Sequence, residues 1–175
     1  MTWLLLTYKL PNRESRARVA VWREIRRSGA LHLQQSVVAF PEGKRFRPAV
    51  ERFRSLVAEL GGETLVVRGD GGEPADEERL RAAWNAARDD EYTELVGECE
   101  KFLVEIGHEF EIEKFTLAEL DEEEAELEKL ERWHERIHGR DLHRAGGAAR
   151  AEAALQQAKD ALARYADAVF ERTQA

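Results

Sequence analysis

Residues 31–68 read LHLQQSVVAFPEGKRFRPAVERFRSLVAELGGETLVVR, and their pattern decides the fold. Within them Phe46, Val50, Phe53, Val57 and Leu60 recur at alternating intervals of four and three, which is one face of an α-helix. The spacing predicts that helix over about residues 45–60. Gly61-Gly62 stops it, and residues 63–68 (ETLVVR) carry the β-branched content of a strand. Ahead of the helix, residues 31–40 read as two short strands, or one kinked near Gln35-Ser36. The turn Pro41-Glu42-Gly43 closes them.

Working outward, residues 2–9 (TWLLLTYK) form a short apolar run of strand character, ended by Pro11 and Asn12. Ser15 is positioned to cap a helix reaching Arg27, with Ala17, Val21 and Ile25 along one line and Trp22 beside it. Gly29 stands where a left-handed helix terminus is expected. The element order is β-α-β-β-α-β, the split βαβ arrangement of ferredoxin-like folds, with both helices on one face of a four-stranded antiparallel sheet. The expected fold is therefore α+β: a ferredoxin-like head over residues 1–72, then an antiparallel helical hairpin or bundle over residues 73–175. Residues 69–74 (GDGGEP) read as a linker. Asp76 is the expected cap of a helix through Leu80 and Trp84, and Tyr92, Leu95, Val96, Cys99, Phe102, Leu103 and Ile106 make a second stripe. Thr116 and Glu119 match a capping box, and the last stripe runs from Leu155 to Phe170.

Composition narrows the function classes. The chain has 175 residues, one cysteine, 35% charged and 43% hydrophobic residues. That describes a folded chain with no disulfide framework and no multi-cysteine zinc site. No apolar run approaches the length of a membrane span, and no basic stretch precedes the first apolar run, so the cytoplasm is the expected location and no membrane partner is expected. The net charge of −8 is split unevenly. Residues 1–60 carry 12 Lys+Arg against 5 Asp+Glu, whereas residues 61–175 carry 15 against 30. A basic head on an acidic body suits an anionic partner, a second copy of the chain, or both.

Several blocks resemble one family. They are Trp3–Pro11 (WLLLTYKLP), Arg18–Arg23 (RVAVWR), Gln35-Ser36-Val37, Glu91–Leu95 (EYTEL), Glu98-Cys99, Lys114–Leu120 (KFTLAEL), Lys129–Trp133 (KLERW) and Arg140-Asp141. In this order they resemble the N-terminal domain of ChrB, the chromate-resistance regulator. The resemblance implies a bacterial cytoplasmic protein acting in transcription regulation: a chromate-responsive, DNA-binding regulator of an efflux operon. It also implies a second, C-terminal domain, so a partner carrying that domain is an alternative expectation, with this chain as a structural or interaction module. The sheet face that the head's own helices leave free invites dimerisation or docking of the C-terminal helices, and a homodimer is expected.

The residues expected to carry anion contact are Lys9, Arg16, Arg18, Arg23, Arg26, Arg27, Lys44, Arg45 and Arg47. Guanidinium groups bind phosphate and other oxyanions through paired hydrogen bonds, and chromate is a tetrahedral dianion of that kind. The competing expectation is that these cations pair with carboxylates of the same chain or of a dimer mate. No helix-turn-helix pattern is present. His134-Glu135-Arg136-Ile137-His138 fits the H-E-x-x-H pattern, which places two imidazoles on one helix face with a glutamate able to activate water. A zinc hydrolase would need a third ligand; His143 is misplaced for it and Glu152 is distant in sequence. The favoured expectation there is a solvated helix end, with no catalytic residues and no cofactor. Cys99 is expected as a buried structural thiol. Glu122, Glu123, Glu124, Glu126 and Glu128 are expected on a wet helix face, and Trp3, Trp22, Trp84 and Trp133 as packing anchors.

Overall fold

A computed structural model describes residues 1–11 and 15–174, so the expected strand stop at Asn12 lies outside the described residues. The chain divides into two compact units, Met1–Ala87 and Arg88–Ala175.

The first unit contains β1 (Trp3–Lys9), α1 (Ser15–Ser28), β2 (Leu31–Gln34), β3 (Val37–Pro41), α2 (Arg47–Glu59) and β4 (Glu63–Gly69). The strands lie in the order β2-β3-β1-β4, antiparallel at every pairing. That is the ferredoxin-like topology expected from the element order. Strand alternation sorts β1 into two faces. Leu4, Leu6 and Tyr8 point toward the helices, where Tyr8 meets Phe53 of α2 edge-on at 5.4 Å. Leu6, Val38, Phe40, Val21, Ile25, Phe53 and Val57 are buried and form this side of the core. Trp3, Leu5 and Thr7 point to the other face. Residues 31–41 form two strands, because Ser36 takes a left-handed φ of 62° in the tight turn between them.

Two glycines have specific work. Gly29 sits at φ 67°; its N–H donates to the Arg26 carbonyl and that of Ala30 to the Ile25 carbonyl, which ends α1 in a Schellman motif. At Gly62 a Cβ would come within 2.5 Å of the Lys9 carbonyl oxygen, so only glycine lets the α2–β4 turn lie against β1.

The helical part differs from expectation in one respect. The first two stripes lie on a single helix, α3 (Pro74–Glu111), which begins in the first unit and continues into the second. Asp76 does not cap it: proline occupies the opening position, where no N–H is needed, and Asp76 sits in the first turn. Trp84 is fully buried, 5.9 Å from Trp3 and 5.5 Å from Phe46, so the start of α3 covers the Trp3 end of the sheet's second face.

The second unit is a three-helix bundle of the rest of α3, α4 (Leu117–His138) and α5 (Ala148–Gln174). Its antiparallel order follows from contacts at both ends. Arg140, just past α4, pairs with Glu91 at 2.8 Å, and the Tyr165 hydroxyl donates to the Lys114 carbonyl ahead of α4 at 2.5 Å. Thr116 caps α4 by accepting the Glu119 N–H at 3.2 Å; the Glu119 carboxylate turns to Lys114, leaving the capping box half-made. Tyr92, Leu95, Cys99, Phe102, Ile137, Ala158 and Tyr165 belong to the core. Among the described residues no helix is long and apolar enough to cross a membrane.

Candidate functional site

Helix α1 buries Ala17, Val21, Glu24, Ile25 and Ser28 and turns its arginines outward. Arg16, Arg18, Arg23, Arg26 and Arg27 are all exposed. The pairing expectation applies to some of them. Glu24 is buried and draws Arg27 at 2.6 Å and Arg52 of α2 at 3.7 Å, tying the two helices together. Arg26 lies over the Trp22 ring, 5.4 Å from its centre. Arg16, Arg18 and Arg23 make no ion pair among the described residues, so their guanidinium groups face water.

Four of the nine expected cations line two separate hollows. Lys9 and Arg18 line a hollow of about 440 Å³ with Tyr8, His32, Gln35 and Ser36, where the end of β1 meets α1 and the β2–β3 turn. A smaller hollow, lined by Arg18, Val21, Trp22 and Ile25, shares Tyr8, Leu10 and His32 with it. Burial raises the pKa of the Tyr8 hydroxyl, so it stays protonated and able to donate. Lys44 and Arg47 line a separate groove with Glu42, Glu51 and Arg54. There Glu51 pairs with Arg54 at 3.5 Å. Arg68 pairs with Glu42 at 2.6 Å and holds its pKa below the usual carboxylate range. Arg45 is exposed beside that groove and completes the expected list. No described residue lining the Lys9–Arg18 hollow is acidic, whereas Glu42 and Glu51 line the groove of Lys44 and Arg47.

Trp22 corrects an expectation. It is 56% exposed, whereas Trp3 and Trp84 are buried and Trp133 packs against the bundle core. The reason is angular: the buried line of α1 runs through Ala17, Val21 and Ile25, and Trp22 projects one position to its side. His32 and Tyr8 were missed by sequence reasoning. Only the pairing of β1 and β2 through β3 brings them to one hollow with Arg18.

In the second unit, His134 and His138 stack with ring centres 6.0 Å apart, and His134 lies 6.3 Å from Tyr92. Burial and the neighbouring His138 lower the His134 pKa. Among the described residues no three His, Cys, Asp or Glu side chains gather as ligands of one ion. Nearby, Arg88 is 1% exposed and pairs with Glu91 at 3.0 Å, while Glu91 also takes Arg140. The Tyr92 hydroxyl donates to Asp141, which also accepts the His143 and Ala145 N–H groups, and Asp89 accepts the Gly147 N–H at 2.7 Å. Burial and Asp141 push the Tyr92 pKa up to about 12. This network fastens the α4–α5 connection to α3, a structural task. Cys99 is buried, and burial with Glu100 and Glu98 raises its pKa, which makes it a poor nucleophile. Of the acidic run, Glu123 departs from the wet face and is 4% exposed.

No curated protein matches the chain. The family described as "Protein ChrB, N-terminal" matches residues 18–175, which begins inside α1 and takes in α2, the rest of the sheet and the whole bundle. The chain belongs to the ChrB N-terminal family and is thereby a chromate-resistance-associated protein.

Proposed function

We propose that this chain acts as a regulator of chromate resistance, laying the outer arginines of α1 along a DNA backbone, and that chromate weakens that contact. The observation that carries the proposal is the set Arg16, Arg18 and Arg23, exposed on one helix and in no ion pair among the described residues. An exposed guanidinium loses little hydration and breaks no internal pair when it turns to a phosphate. Chromate presents tetrahedral oxygens like those of phosphate, so it competes for the same donors. The hollow beside Lys9 and Arg18 offers it two cations at once. Among the described residues the element order holds no recognition helix of helix-turn-helix type, so in this reading phosphate contact dominates and affinity falls steeply with salt.

A gel shift with a duplex of the gene's own promoter region, in low salt, tests this. Binding is expected, and chromate should weaken it. The combined change Arg16→Gln, Arg18→Gln and Arg23→Gln should lower affinity by about tenfold or more. No shift at low salt overturns the proposal.

A further inference from the structure

We propose that the paired hollows between α1, the end of β1 and the β2–β3 turn hold an unstacked nucleobase and its phosphate, so that single-stranded nucleic acid is the preferred ligand over an intact duplex. The inference rests on the DNA-contact reading and specifies what that surface recognises.

Three observations converge. First, Trp22 keeps an aromatic face in water in the middle of the arginine-rich surface, and a planar group, the Arg26 guanidinium, already lies over it. Aromatic side chains beside cations are the stacking platform of proteins that bind single strands, because every base has a π-face. Second, the hollow next to Trp22 is lined by two further rings, Tyr8 and His32. At about 440 Å³ its larger part falls within the roughly 300–1,000 Å³ range of small-molecule sites. Third, the polar groups are sorted. Lys9 and Arg18 supply positive charge for a phosphate, while Gln35 and Ser36 supply donors and acceptors for a base edge. The lining described contains no carboxylate to repel the backbone. A base locked in a duplex cannot enter a hollow between a helix and a sheet edge; an unstacked one can.

The test titrates the intact chain, in low salt, with a labelled oligothymidine and with an A·T duplex of equal length. The single strand should bind more tightly, with quenching of tryptophan emission. Trp22→Ala should weaken single-strand binding about tenfold more than duplex binding, and Trp22→Phe should restore most of the loss. Lys9→Gln, at an exposed position that leaves the core untouched, should also weaken single-strand binding more than duplex binding. Equal or tighter duplex binding, or single-strand affinity unchanged in Trp22→Ala, overturns this inference while leaving the duplex-contact reading standing. Failure to bind either form overturns both.

Discussion

Glu123 shows how one side chain sets a pH dependence. It is buried on α4, and burial together with Glu105 and Glu109 of α3 and Glu119 and Glu126 of α4 raises its pKa to about 7. Lys114 bridges Glu109 and Glu119, and Tyr165 of α5 completes the surroundings. One Glu123 carboxylate oxygen has no hydrogen-bond partner. The folded chain therefore holds a proton between pH 4.5 and 7 that the unfolded chain has released. Stability falls as pH rises through that window and stays low above it. Glu123→Gln removes the charge and should raise stability at pH 8 by about 1–2 kcal/mol, with little change at pH 5. Urea unfolding at the two pH values measures this; a variant less stable than the parent at pH 8 contradicts it. The sequence places Glu123 in an acidic run and gives no sign that it alone turns inward. Helical phase does that, since Leu120, Glu123, Leu130 and Ile137 share the buried side of α4.

At the scale of elements, α3 is the instructive case. Its two apolar stripes are separated by residues 85–91 (NAARDDE), which hold no large apolar side chain, yet no residue between them breaks a helix and the chain continues through. Its first turns serve the sheet: Trp84 fills the space between Trp3 and Phe46. Trp84→Ala should destabilise the first unit by about 3–5 kcal/mol, the cost of a large buried cavity. Thermal unfolding followed by near-ultraviolet circular dichroism reports it, and a loss under 1 kcal/mol would show that the two rings contribute little. Helix α1 was legible in the sequence on its buried side and at Gly29, both local signals. Its outward face was legible as charge but not as a site, because Trp22 was counted with the core tryptophans.

Across the whole molecule, the basic head is an exposed helix face more than a uniformly positive surface. Glu24, Glu42 and Glu51 neutralise cations elsewhere in the head. In the bundle, Lys101, Lys129, Arg132 and Lys159 take up Glu98, Glu126, Glu128 and Glu131. On the proposed function, DNA contact by a chain of net charge −8 rests on a few phosphate contacts. The slope of log affinity against log salt should flatten by about two to three when Arg16, Arg18 and Arg23 become glutamine, each lost contact removing close to one unit. An unchanged slope would place the phosphate contacts elsewhere.

The sequence by itself determined the order of elements, the split between a sheet-bearing head and helices, the family and the list of candidate cations. The family follows from the ordered blocks that resemble it; the rest follows from periodicity, turn residues and composition, which act over a few positions along the chain. Tertiary structure alone decided which cations remain open to a ligand, that Tyr8, His32 and Arg18 share a hollow with Trp22 at its edge, and that one glutamate of an acidic run is buried. Each depends on strand register and helix phase, which bring residues distant in the chain to one place and turn a single position toward water or away from it.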